Sequence, residues 1–290
     1  MKIFFIDFMK QRKTALLISL ILIVASLGLI VTKGLNLGID FTGGNVVQVE
    51  FAEAVPVGDV REILSSVGQE GAIIQAYGDR GVIIRISANE EEVRKQVVDA
   101  LRAREAGMQV IRLEKVGPVV GAELRKEAFI ALLLALGGIL AYITVRFQFR
   151  FAVVSVASLI HDAVITLGIF SLTGMEISSS FIAAILTIVG YSLNDTIVIL
   201  DRVRENWKYI REKGITDMLN MSINQTLSRT VNTSLTTLLP LIALYLWGGP
   251  VLQSFSFALL IGVLVGTYSS IYIASGLLAE WWIKAPQKIR

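Results

Sequence analysis

The stretch TVNTSLTTLLPLIALYLWGGPVLQSFSFALLIGVLVGTYSSIYIASGLLA, residues 230–279, carries no Asp, Glu, Lys, Arg or His. A membrane-spanning helix needs about 20 mostly apolar residues, so the stretch is too long for one crossing. Trp247-Gly248-Gly249-Pro250 is a turn signal near its middle, and the stretch is predicted to cross twice. Upstream lie four further apolar runs: 14–32, 128–145, 151–173 interrupted only by His161-Asp162, and 177–200 interrupted only by Asp195. The prediction is a polytopic α-helical membrane protein with six transmembrane helices.

Composition agrees. The 290 residues are 54% hydrophobic and 18% charged, against about 25% charged in an ordinary soluble domain, and the charges are clustered. The net charge of +3 gives no reason to expect a nucleic-acid partner. There is no cysteine and a single histidine, His161, so thiolate chemistry and a His-rich metal site are excluded. No nucleophile is paired with a base and no phosphate-binding Gly-Lys-Ser/Thr loop is present, so the chain is not expected to be an enzyme or to carry a cofactor. The first run follows Lys2, Lys10, Arg12 and Lys13 like a signal peptide. It is longer than a signal core, however, and lacks an Ala-x-Ala site, so an uncleaved anchor is expected.

Lys and Arg in short loops set orientation. They precede span one, lie between spans two and three (Arg146, Arg150) and between four and five (Arg202, Arg204, Lys208, Arg211, Lys213), and follow span six (Lys284, Lys288, Arg290). The loops at 174–176 and 247–250 carry none. Both termini are therefore expected to be cytoplasmic. The expected organisation is 1–33 as N-terminus and first helix, 34–126 as an outer domain, 127–283 as helices two to six, and 284–290 as a cytoplasmic tail.

Within 34–126 the hydrophobic period changes. Residues 45–51, 71–77, 82–87 and 108–116 read as strands, and 57–67 and 90–106 as helices, with Asn89 expected to cap the second. The order β-α-β-β-α-β is that of a ferredoxin-like α+β domain inserted between helices one and two. That fold serves many functions and names none.

Ionisable groups at membrane depth are costly and mark functional candidates. Asp195 lies about 9 Å inside the boundary at Asp201, at 1.5 Å per residue. Thr187, Tyr191, Asn194, Asp195 and Val198 share a helical face that is expected to point into the bundle. Gln225, Arg229, Asn232, Thr233 and Thr236 form a second polar stripe on span five, which enters from the same side, so a pairing of Asp195 with Arg229 is expected. The guanidinium stays charged; only the carboxyl can change state, and burial and a neighbouring cation act on it in opposite senses. A permanent ion pair, or an arginine that merely reaches to the interface, are the plainer readings. His161 and Asp162 sit near the middle of span three. Adjacent helical positions diverge by roughly 100°, so the two are not expected to face one partner. A lone buried histidine is most often a packing residue; a proton path is the sharper alternative. In GIDFTGG (38–44), the glycines read as a turn at positive φ with Asp40 capping backbone amides.

GIDFTGG, His161-Asp162, VGYSLNDTIVILDRVREN (189–206) and NQTLSRT (224–230) closely resemble the SecF family, which with SecD belongs to the resistance-nodulation-division superfamily. The resemblance covers essentially the whole chain. It implies a subunit in the bacterial cell (inner) membrane that pairs with SecD as a heterodimer. It also implies association with the SecYEG channel, often with YajC, and use of the proton-motive force (sodium in some relatives) to assist late export of preproteins. Asp195 is then the expected proton-carrying group and Arg229 its neighbour, with Asn194, Asn232, His161 and Asp162 as further proton-coupling candidates. Gly38, Asp40, Phe41, Thr42, Gly43 and Gly44 are expected to couple the first span to the outer domain. The alternatives are a non-transporting membrane scaffold subunit, or half of a small-molecule exporter of the same superfamily. Against the latter, the roughly 90-residue outer module is one compact domain.

Overall fold

The computed structural model describes residues 5–88, 90–105 and 107–285, the side chains of Pro250 and Val251 excepted. In chain order, after a 3-10 turn at Met9–Gln11, the elements are α1 (Arg12–Lys33), the one-turn α2 (Ile39–Thr42), β1 (Gly44–Glu50), α3 (Val57–Ser66), β2 (Ile73–Tyr77), β3 (Gly81–Ile86), α4 (Glu91–Arg104), β4 (Gln109–Val116), α5 (Pro118–Arg146), α6 (Phe149–Thr173), α7 (Ser179–Asn206), α8 (Ile210–Trp247), α9 (Gly249–Tyr268), a π-helical turn (Ser269–Ala274) and α10 (Ser275–Lys284). The chain divides into two compact units, Leu37–Ile130 and the remainder.

In the smaller unit the four strands form an antiparallel sheet in the order β2-β3-β1-β4. Val47 of the central strand β1 faces Ile84 on one side and Leu113 on the other. Alternating apolar positions fill the layer between the sheet and the two helices: Val47, Val49, Ile84 and Ile86 from strands, Val60, Leu64, Val97 and Leu101 from α3 and α4. Glu91 and Glu92 occupy the first turn of α4 and Arg102 and Arg104 its last, the charge order a helix dipole favours. Glu90 stands at the N-cap; Asn89, expected to cap this helix, lies outside the described residues.

The larger unit is helical. Five stretches of the described residues are long and apolar enough to cross a membrane: Met9–Lys33, Pro118–Arg146, Phe149–Thr173, Ser179–Trp247 and Leu252–Lys284. The fourth merges α7 and α8, between which lies a 3-10 turn at Trp207–Tyr209; within α8, Gly214, with a φ of 76°, breaks the helical run. Small residues set the closest approaches. A Cβ on Gly168 of α6 would overlap Ser26 of α1, and one on Gly262 of α9 would overlap Ile188 of α7. Aromatic packing closes one end of the bundle, where Trp282 sits 4.7 Å from Trp207 and 5.8 Å from Phe151, ring centre to ring centre. The outward faces are apolar: Leu17, Ile21 and Val24 on α1, and Leu133, Leu134 and Val145 on α5, are exposed. That is the arrangement expected where the surrounding solvent is hydrocarbon and hydrophobic burial between helices drives little.

Candidate functional site

α7 buries Phe181, Ala184, Ile185, Ile188, Val189, Ser192, Asp195, Thr196 and Ile199, positions recurring every three or four residues. Asp195 is on this inner face and only 2% exposed. Its Oδ2 has no hydrogen-bond partner; the groups that bear on the carboxyl are the Thr233 hydroxyl and the Arg229 guanidinium, both from α8. Here the structure departs from the expected pairing: no ion pair forms between Asp195 and Arg229, whose side chain is exposed. Thr233, one helical turn past Arg229, faces the carboxyl, and its hydroxyl also donates to the Arg229 carbonyl at 3.0 Å. Most of the other predicted polar positions also turn outward. Thr187 and Asn194 on α7, and Gln225, Asn232 and Thr236 on α8, are exposed. The predicted faces are therefore split between inside and outside, because the rotation of each helix is fixed by its apolar face. That face carries Asp195 inward and leaves Arg229 and Asn232 on the surface of the chain.

The pair given less weight in the sequence forms a densely bonded buried polar cluster. His161 and Asp162 are 2% and 1% exposed. They hydrogen-bond to each other, Nδ1 to Oδ1, at 2.9 Å. Beyond this mutual bond the two turn to different partners, as adjacent helical positions do. Asp162 Oδ2 accepts from Ser192 Oγ of α7 at 2.7 Å and from Ser269 Oγ of the π-helical turn at 2.8 Å. One carboxylate thus joins three helical elements. Gly266 makes room for it: a Cβ there would come 2.9 Å from Ser192 Cβ and 3.5 Å from Asp162 Oδ2. The His161 ring stacks on Tyr268, centres 6.3 Å apart, and the Tyr268 hydroxyl donates to the Ala15 carbonyl of α1 at 3.0 Å. Beside it, Thr196 and Ser270 share a hydrogen bond of 2.8 Å.

Three asparagines, two of them within the quoted motifs, make contacts that the sequence did not indicate. Asn224 brackets the backbone of Ile6, its Oδ1 accepting from the N–H at 2.9 Å and its Nδ2 donating to the carbonyl at 2.8 Å. Asn220 accepts from the Met9 N–H at 2.9 Å and donates to Asp7 Oδ1 at 2.7 Å. Asn206, ending α7, donates to Ser222 Oγ and Gln225 Oε1 of α8 at 3.0 and 2.9 Å. The mixed polar run 220–225 at the start of the apolar part of span five was the available clue.

In GIDFTGG, residues Ile39–Thr42 form one helical turn with Asp40 in it and Ile39 and Phe41 buried. Gly43 and Gly44 follow at φ 73° and 126°, conformations that L side chains rarely adopt. A Cβ on Gly43 would lie 2.9 Å from Pro118 Cα, and one on Gly44 2.5 Å from the Ile86 carbonyl oxygen. Gly38, by contrast, is extended at φ −70°. Among the described residues no group of three or more His, Cys, Asp or Glu is placed to hold a metal ion.

Two family models match: protein export membrane protein SecD/SecF, C-terminal, over residues 96–284, and the SecD/SecF GG motif over 28–55. The protein translocase subunit SecF of Pseudomonas aeruginosa is 46% identical over 96% of this chain and 92% of its own. That of Haemophilus influenzae is 45% identical over 92% and 83%. The crystal structure of SecDF from Thermus thermophilus, described as a translocon-associated membrane protein, superposes with a TM-score of 0.90 at 42% identity, covering 95% of this chain and 38% of that one. A crystal structure of SecDF in a super-membrane-facing form gives 0.73 at the same identity. A helical membrane unit, a small antiparallel sheet, and the two signature regions at their expected places make this chain a member of the SecD/SecF family of protein-export membrane proteins.

Proposed function

We propose that the chain is the SecF-like half of a proton-driven export accessory. It works with a SecD partner at the SecYEG channel, often alongside YajC, to assist late translocation of preproteins across the bacterial inner membrane. In this reading 179–247 crosses the membrane twice, giving six spans with both termini cytoplasmic and 34–126 outside as a ferredoxin-like domain. The observation that carries the reading is the seam between α7 and α8. A carboxyl, Asp195, is buried at membrane depth with one oxygen unpartnered, while the cation and amides beside it, Arg229, Asn194 and Asn232, open onto the surface of the chain.

Exposed polar groups at membrane depth call for a protein partner rather than lipid. The fused SecDF relative, of which this chain matches 38%, carries a second portion in the same polypeptide. A SecD-like subunit seated on that face would desolvate Arg229 and complete the surroundings of Asp195. Protonation of the carboxyl then removes its attraction to the guanidinium and alters how α7 and α8 pack. One charge crossing the full potential supplies about 2.3 kcal/mol per 100 mV, where about 1.4 kcal/mol is a tenfold bias. Movement of the helices reaches the outer domain through α1 and Gly38–Gly44, which follow one another in the chain.

The test is export into vesicles containing the SecD–SecF pair, with and without an imposed proton gradient. Asp195→Asn is expected to assemble normally and to lose the gradient-dependent component. Full gradient-dependent stimulation in that variant would remove the mechanism and favour a scaffold.

A further inference from the structure

The buried acid that the seam does not use is Asp162. We propose that His161 and Asp162 form a second proton-binding site, separate from Asp195, whose occupancy sets how tightly α6 is clasped to α7 and to the π-helical turn. The inference deepens the proton-coupled reading and rests on it for its purpose, but its chemistry is tested independently.

Hydrogen counting carries the argument. The Asp162 carboxyl meets three groups: His161 Nδ1 at Oδ1, and the Ser192 and Ser269 hydroxyls at Oδ2. With the acid ionised and Nδ1 protonated, every one of these contacts is a donor meeting an acceptor. The second ring nitrogen, Nε2, is buried and has no hydrogen-bond partner, so it is the atom at which a further proton is taken up. Proton uptake there gives an imidazolium beside a carboxylate, a pair with no net charge, whereas without it the carboxylate stands as an isolated charge. Of these two states the lone carboxylate is the costlier one in a low-dielectric interior. The titratable groups facing the cluster are Tyr268, stacked on His161, and Tyr272 beyond it. α1 contributes the Ser19 hydroxyl, bonded to the Tyr268 hydroxyl at 3.2 Å, and α7 contributes Ser192. Among the described residues no Lys or Arg is bonded to the pair, so His161 is the cation that can answer this carboxylate.

The pair also sits where a change of charge has leverage. Ser269 has an alternative acceptor, the Gly266 carbonyl at 3.1 Å, so its hydroxyl can leave Asp162 without being stranded. Ser270, next along the same turn, binds Thr196 and the Ser192 carbonyl of α7 at 2.8 and 3.3 Å. Thr196 adjoins Asp195 in sequence. A π-helical turn lacks the regular ladder of an α-helix and is often found at functional positions; here it is held to α7 by these hydroxyls. When His161 becomes charged, it draws from Oδ1 on the carboxylate charge that Oδ2 offers to Ser192 and Ser269, and the clasp on α7 loosens one turn from the seam.

His161 is the chain's one histidine, so labelling all histidine with nitrogen-15 reports on it alone. The experiment is a pH titration of the full chain with its SecD partner in lipid bilayers, read by solid-state NMR. The expected result is a single-proton titration in which the Nε2 signal moves from the neutral to the protonated position. Asp162→Asn, which preserves shape, is expected to displace that titration, and Asp195→Asn to leave it in place. Three results would overturn the proposal: a His161 signal that does not change with pH, which makes the cluster a fixed clasp; a titration unaffected by Asp162→Asn; or one displaced as far by Asp195→Asn as by Asp162→Asn. None of these depends on export, so failure here and failure of the seam mechanism are told apart.

Discussion

Gly168 on α6 and Ser26 on α1 meet so closely that no side chain fits between them: a Cβ on the glycine would overlap both the Oγ and the Cβ of the serine. The contact is reinforced one turn away, where Ser171 Oγ donates to the Leu29 and Gly34 carbonyls at 3.0 and 2.7 Å. Without a hydrophobic force between helices in lipid, such small-residue contacts and interhelical hydrogen bonds are what fix helix positions. Gly168→Ala is therefore expected to destabilise the helical unit by about 1–3 kcal/mol, the usual cost of overpacking. Thermal unfolding in detergent measures it. Combining it with Ser26→Gly should restore part of the loss, because the serine Cα remains close to the added methyl. A Gly168→Ala protein as stable as the parent would mean that α1 and α6 do not pack as described.

The glycine pair in the smaller unit predicts a contrast within one motif. Gly44 combines φ 126° with a Cβ position against the Ile86 carbonyl, while Gly38 is at φ −70°. Forcing a side chain into such a backbone costs about 1–3 kcal/mol before any clash is counted. Gly44→Ala should lower the unfolding temperature of the sheet domain well beyond Gly38→Ala, as followed by hydrogen exchange of β1 and β3. Equal effects would contradict the turn geometry.

Asn220 and Asn224 hold the backbone of residues 6–9 through side-chain amides. Each net hydrogen bond contributes about 0.5–1.5 kcal/mol, and Asn224 provides two to this segment. Asn224→Ala should raise hydrogen exchange and protease cleavage around Ile6, leaving the helical content unchanged. Asn224→Asp keeps the acceptor but loses the donor, so it should fall between. Unaltered exchange in both would show that the segment is held by Phe8 and Met9, both buried.

Apolar runs and alternating segments made the helical membrane unit and the small antiparallel sheet legible in the sequence, because both periods are set by backbone geometry. Helix limits were less so. The apolar run at 128 marks where hydrocarbon begins, whereas α5 starts at Pro118, since a helix continues into water through residues such as Glu123 and Arg125. The site was legible in its residues and not in its contacts. Asp195 was placed inside by its depth and neighbours, but the rotation that puts Thr233 rather than Arg229 against it depends on how Ser234 and Leu241, buried on α8, seat the whole helix. The weight of Asp162 could not be read at all, because Ser192 and Ser269, which complete it, lie 30 and 107 positions away.

Asn232 offers a direct view of the partner face. Its side chain is exposed on α8 one turn from Arg229, at a depth where an amide surrounded by lipid would lack hydrogen-bond partners. Since the chain contains no cysteine, Asn232→Cys creates a unique thiol. In the chain purified alone in detergent a maleimide should label it, and labelling should drop several-fold when a SecD-like subunit is copurified. Leu133→Cys on α5, also exposed, separates general detergent shielding from a specific interface, because only a subunit seated on α8 protects position 232 selectively. Equal labelling of 232 with and without the subunit would place the partner on another face and leave Arg229 open, removing the desolvated cation that the seam mechanism requires.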